Sequence, residues 1–191
     1  MEHIYSEFYR QTEKITEPKL QVLGVVLHDD AENYTAKAYI EWLKRRINRN
    51  ELEKGWACLY VDANTFYWFH PSEYIEWHCG NAFANSHYVG IERCQSKING
   101  VLDDEAFMRN EEASFKMAAL ILNKYHLPIN RETVRLHKEF FDTECPARAW
   151  KIHLGNVETN QQTIQILQDY FIERIKSYAS CISDEELKTV G

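Results

Sequence analysis

Short β-branched apolar runs alternate along this chain with longer segments of helical periodicity, and that alternation restricts the fold more than any other feature. Gln21 to Leu27 reads QVLGVVL and stops abruptly at His28-Asp29-Asp30. Its length and composition suit a buried strand. Thr35 to Ile47 then sets Tyr39, Ile40, Leu43 and Ile47 at helical spacing behind Thr35 as N-cap. Ala57–Asp62 and Thr65–His70 read as strands joined by a turn at Ala63-Asn64, a hairpin ended by Pro71. Tyr74–Asn85 shows no clear period and reads as a structured loop. Tyr88–Cys94 is a further strand, with Val89 and Ile91 on one face and Gly90 and Glu92 on the other. Asp103–His126 carries the longest helical stripe, acidic at its start and followed by Pro128. Thr133–Leu136 is a short strand ending at His137, and residues 158–180 form a last amphipathic helix. Strands interleaved with helices predict an α/β fold, a mixed central β-sheet flanked by helices. The hairpin excludes an all-parallel doubly wound sheet.

Residues 1–20 are polar and read as an N-terminal arm ahead of one domain over 21–180. Residues 181–191 form an acidic, linker-like tail. No apolar run approaches membrane-spanning length, and the first residues lack the pattern of a signal peptide. Twenty-two basic against 29 acidic residues give a net charge of −7, which argues against sequence-independent nucleic-acid binding. Five widely spaced cysteines, odd in number and without a CxxC pair, are not a disulfide framework and read as reduced thiols.

Three residues share a topological position. His28 and His137 each end a predicted strand, and Cys145 follows His137 by eight positions in a loop. Such strand ends and loops are where α/β proteins place chemistry. Two imidazoles and a thiolate are a suitable open zinc set, with a fourth position left for water. Spacing alone leaves this beside a plainer alternative, hydrogen-bonded histidines and a buried thiol. A cysteine nucleophile at Cys79 or Cys94 is the weaker reading, because Cys94 has only Arg93 nearby, on the opposite face of its strand. Trp56, Trp68 and Trp77 could offer flat faces to a sugar or belong to the core.

The segments GVVLHDDA, EYIEWHCGN, VGIERC, NEEAS and INRETVRLHKEFFDTECPARAW narrow these alternatives. Together they resemble the zinc-dependent N-acetylmuramoyl-L-alanine amidases of the type-2 family, above all the amidase domains of endolysins from staphylococcal and enterococcal phages. The resemblance implies Zn2+ held by His28, His137 and Cys145, with Glu92 as the carboxylate beside the attacking water. It makes Thr143 a polar catalytic-site residue that contacts a substrate oxygen or fixes the Cys145 loop. His78 and Trp77 would bind substrate in the groove, His78 alternatively serving as an outer hydrogen-bond partner. Many members carry a tyrosine where this chain has Trp56-Ala57-Cys58, and the lysine that replaces the threonine in some is also missing. The acid–base work therefore falls to Glu92.

The implied substrate is bacterial peptidoglycan, cut between N-acetylmuramic acid and L-alanine. The implied setting is the host cytoplasm until a holin opens a route to the wall. A separate cell-wall-binding domain would follow the tail. Relatives lacking the cysteine only bind, so a non-catalytic peptidoglycan-binding module is the alternative. The presence of Cys145 and Glu92 favours the enzyme.

Overall fold

A computed structural model describes residues 2–63 and 65–190. The strands are β1 (Glu2–Tyr5), β2 (Gly24–Asp29), β3 (Leu59–Val61), β4 (Thr65–Trp68), β5 (Tyr88–Arg93), β6 (Lys97–Ile98), β7 (Val101–Leu102) and β8 (Val134–Leu136). The helices are α1 (Tyr9–Thr12), α2 (Ala36–Asn48), α3 (Ala82–His87), α4 (Asp104–Lys124), α5 (Ala147–His153), α6 (Gln161–Ala179) and α7 (Asp184–Leu187). Six strands form one sheet in the order β1-β4-β3-β5-β2-β8, and β6 and β7 make a separate ribbon. Only β3 and β4 pair antiparallel within the main sheet, so the hairpin is present in a largely parallel frame. Asn64 of the expected turn lies outside the described residues.

Strand alternation sorts the core into two layers. Val25 and Leu27 of β2, with Val89 and Ile91 of β5, point into the apolar layer under α4 and α6, against Phe107, Phe115, Met117 and Phe171. Burying each such side chain contributes about 1.5–3 kcal/mol. On the other face α2 covers β3 and β4 through Ile40 and Leu43, packed with Trp56, Tyr60 and Phe69. Side-chain caps set the start of each of the three long helices, Thr35 as expected, whereas α6 begins at Gln161, three residues after the expected start at 158. Thr35 Oγ1 accepts from Ala38 N at 3.2 Å, Asp103 Oδ1 from Ala106 N at 2.8 Å and Asn160 Oδ1 from Thr163 N at 3.0 Å.

Both ends are more ordered than their composition suggests. The expected arm contributes β1, which pairs with β4 at the sheet edge, and the single turn α1. The expected linker folds as α7 against α4, with Lys116 Nζ 2.8 Å from Glu186 Oε1. Beyond it, Thr189 O accepts from Tyr5 Oη at 2.6 Å and Val190 is buried. Two short helices, α3 and α5, stand where loops were expected. Each runs for two turns or less, too short for an apolar stripe to declare itself.

Candidate functional site

The site starts from one row across the sheet. His28 of β2 lies opposite Glu92 of β5, and Glu92 lies opposite Tyr60 of β3. Neighbouring strands sit about 4.8 Å apart, and in-register side chains leave the same face. Because Leu27 and Ile91 enter the α4 layer, the row Tyr60–Glu92–His28 emerges on the α2 side. It borders a cavity of about 490 Å³ whose wall includes Tyr39, Trp42, Tyr60, Trp77, His78 and Glu92.

Two further groups converge on His28. His137 is the first residue after β8 and opens a 3-10 turn that runs to Glu139. That turn is tied down by the Glu139 carboxylate, which accepts from Leu136 N at 2.6 Å and Arg135 Nε at 3.0 Å. Cys145 arrives on the loop before α5. Thr143 Oγ1 accepts from Cys145 N at 3.2 Å, and Asp29 Oδ2 accepts from Ala149 N at 2.8 Å, fixing α5 to β2.

The result brings His28 Nδ1 within 3.2 Å of His137 Nδ1 and within 3.8 Å of Cys145 Sγ. Zinc–nitrogen bonds of ~2.0–2.1 Å and a zinc–sulfur bond of ~2.3 Å at tetrahedral angles hold their donors about 3.3–3.6 Å apart. The three side chains therefore fit one small soft-to-borderline cation. His28, His78 and Cys79 form a second cluster of donors. There His28 Nε2 and His78 Nδ1 stand 2.8 Å apart, the length of a hydrogen bond and shorter than the separation of two nitrogen donors on a tetrahedral zinc. His28 thus offers one ring nitrogen to His137 and Cys145 and the other to His78.

Protonation suits the same assignment. Burial holds the His28 and His137 imidazoles below their ordinary range and takes His78 down to about 3, so all three are neutral at pH 7. Neutral imidazole is the form that binds a cation. Burial also raises the Cys145 thiol and the Glu92 carboxyl, Glu92 with a further push from Asp30 and Asp29. A bound dication would reverse the preference of the thiol and favour the ionised form of the neighbouring Glu92 carboxyl.

Of the residues singled out in the sequence, His28, His137 and Cys145 meet directly, Glu92 stands one strand away, and His78 touches His28. Thr143 secures the Cys145 backbone and also lines a second cavity of about 630 Å³ beyond that loop. Trp77 is on the wall of the first cavity and packs on buried Trp56 at a centroid distance of 4.5 Å. Trp68 is core.

Sequence reasoning missed Tyr60, which lies opposite Glu92 and is turned by the strand period to the same face. It also missed the buried Arg93, whose Nε donates to the His28 carbonyl at 2.9 Å and whose Nη1 meets Glu111 Oε1 at 2.8 Å.

Residues 18–148 match the family model described as N-acetylmuramoyl-L-alanine amidase. The chain is 46% identical over 179 residues to Endolysin 2638A of Staphylococcus phage 2638A, covering 93% of this chain and 36% of that protein. It is 36% identical to Endolysin PlyTW of Staphylococcus phage Twort, over 82% of this chain and 33% of that protein. The chain thus spans about a third of the length of these relatives. In fold it is similar to PlyL, with a TM-score of 0.69 at 19% identity, covering 93% of this chain and 99% of that one. It is also similar to the Staphylococcus aureus hydrolase AmiA, with a TM-score of 0.62 at 18% identity, covering 100% of this chain and 86% of that one. The matched family segment contains His28, Glu92, His137 and Cys145, and this chain belongs to the N-acetylmuramoyl-L-alanine amidase family.

Proposed function

We propose that this chain is the catalytic part of a peptidoglycan hydrolase that cuts the amide between the lactyl group of N-acetylmuramic acid and L-alanine. The observation that carries this reading is the meeting of His28, His137 and Cys145 from three separate segments, one strand away from Glu92. His28, His137 and Cys145 would hold zinc. When bound there, zinc polarises the scissile carbonyl and lowers the pKa of water towards ~7.

The chain supplies the rest. Glu92 accepts the proton of the attacking water and returns it to the leaving amine as the C–N bond breaks. Such a group typically contributes ~10²–10⁴-fold. The aromatic side chains on the wall of the cavity beside Glu92 give the substrate flat faces to pack on. Arg93 and the turn after β8 fix His28 and His137, while Thr143 fixes the Cys145 backbone.

A separate wall-binding domain in the full-length protein fits the greater length of the phage relatives. It would also offset a net charge of −7, which gains nothing from anionic wall polymers. The working place is the bacterial wall, reached from the host cytoplasm through a holin. No helix among the described residues is long and apolar enough to cross a membrane.

The test is direct. Purified wall treated with the protein should release free amino groups, and mass spectrometry of the products should locate the cut at the muramoyl–alanine bond. Metal analysis should find about one zinc per chain in the wild type. Cys145→Ser should lose most of that zinc and the activity with it. Full zinc content and turnover in Cys145→Ser would remove Cys145 from the ligand set.

A further inference from the structure

Beneath the His78 ring lies a buried ion pair to which the metal reading gives no task. Lys19 Nζ and Glu76 Oε1 stand 3.1 Å apart, with side chains 1% and 0% exposed. Taking two charges out of water costs enough that an apolar pair of similar volume often serves stability equally well. The hydrogen bonds show what this pair organises instead. The Lys19 ammonium donates to the carbonyls of Ser72 and Tyr74. Glu76 Oε2 accepts from Cys58 N at 2.5 Å and from Gly90 N at 3.1 Å, bridging β5 and the residue before β3.

The pair therefore pins segment 72–76 onto the sheet, two residues ahead of His78. Gly90 makes the seat possible. A Cβ on Gly90 would lie 2.8 Å from both Glu76 Oε2 and His78 Cγ. From this seat His78 Nδ1 reaches His28 Nε2 at 2.8 Å.

We propose that the Lys19–Glu76 pair, seated on Gly90, is a positioning device that holds His78 where it fixes the ring orientation and proton placement of His28. A metal-binding imidazole needs its second nitrogen held by an outer partner, commonly a carboxylate or carbonyl. Here the partner is another imidazole, 2.8 Å away; with His28 Nδ1 given to the metal, the His28 proton sits on Nε2, so His28 Nε2–H donates and His78 Nδ1 accepts. An imidazole turns about two side-chain bonds, and its placement must come from the backbone that carries it. Lys19 and Glu76 supply that placement without touching the metal donors. The inference rests on the zinc reading above.

Two variants test it. Lys19→Met combined with Glu76→Gln removes the ion pair without stranding a charge, and Gly90→Ala pushes on His78 with all charges intact. Zinc affinity is read by competition with a chromogenic chelator. The protonation of His28 and His78 is read by imidazole ¹⁵N NMR of the metal-free protein. Both variants should melt cooperatively, lose about tenfold in zinc affinity and lose the single Nε2–H form of His28. Wild-type zinc affinity with wild-type imidazole signals in a folded variant overturns the proposal, whatever the shift in Tm. A paired replacement that fails to fold overturns it too, because the pair is then a requirement of the fold. Wild-type protein that binds no zinc refutes the metal reading instead, and the imidazole signals still decide whether the pair positions His78.

Discussion

β2 and β5 carry polar groups on both faces, and the two faces treat them differently. Asp29 and Arg93 point into the layer under α4 and α6. There Arg93 meets Glu111 at 2.8 Å, stands 3.5 Å from Asp29, and lies over the Phe171 ring at 4.9 Å. Glu111 is shared in turn with His153 at 2.8 Å. One residue back along each strand, His28 and Glu92 point the other way, to the cavity side. No oppositely charged side chain is paired with either among the described residues. Charges sealed in a core must be paired, because an uncompensated one costs several kcal/mol. Groups that exchange protons or donate lone pairs have to keep those positions open. Two adjacent pairs of residues thus separate a face of paired charges from the face to which the proposed function gives the chemistry.

The strongest test of that division is Glu92→Gln. It should lower turnover on purified wall by ~10²–10⁴-fold while leaving zinc content and Tm near wild type. Near-normal lysis would move the acid–base role elsewhere, with Tyr60 next in the row. The mirror experiment is Arg93→Met, which strands Asp29 and Glu111 and should cost about 3–5 kcal/mol in denaturant melts. An Arg93→Met protein of wild-type stability would show that the paired face is dispensable.

Thr143→Ala should be milder. Losing the hydroxyl that accepts from Cys145 N should cost about 0.5–1.5 kcal/mol and weaken zinc binding, with little change in KM. A raised KM at unchanged zinc affinity would place the hydroxyl on substrate. The smallest effect lies far from both faces. Glu186 is held down to about 2, chiefly by its hydrogen bond to Lys116. Its folded pKa is depressed, so its contribution is complete above the ordinary glutamate range near ~4.5 and is lost as pH falls through about 2. NMR signals of α7 should report release of the tail in that window before the sheet melts, and Glu186→Gln should flatten the pH response.

The long elements were legible because each repeats its signal. α2, α4 and α6 show an apolar stripe, with Thr35 as a readable cap for α2, and β2 and β5 are rich in β-branched residues, although β2 starts at Gly24 and runs on through His28 and Asp29. β1 was hidden because EHIY is four residues at a sheet edge with both ends exposed, so no alternation could build up. His28, His137 and Cys145 were picked out through local sequence, since no spacing rule brings residue 28 to residues 137 and 145, and the structure brings them together. Lys19 and Glu76 left no trace. Each is a charged residue in a polar stretch, and only the tertiary structure buries one against the other. Arg93 was placed on the correct side of its strand by period alone, but its partner Glu111 lies on a helix whose register against the sheet the sequence does not specify.

Tyr5 and Thr189 meet at the outer edge of the sheet, four strands from His28. At about 4.8 Å per strand, that contact lies roughly 19 Å across the sheet from His28. A short linker bridging β1 and the segment after α7 would leave every site residue untouched, and the chain could be reopened at an exposed bend such as the β6–β7 turn. Such a circular permutant would hand any fused partner a new point of departure.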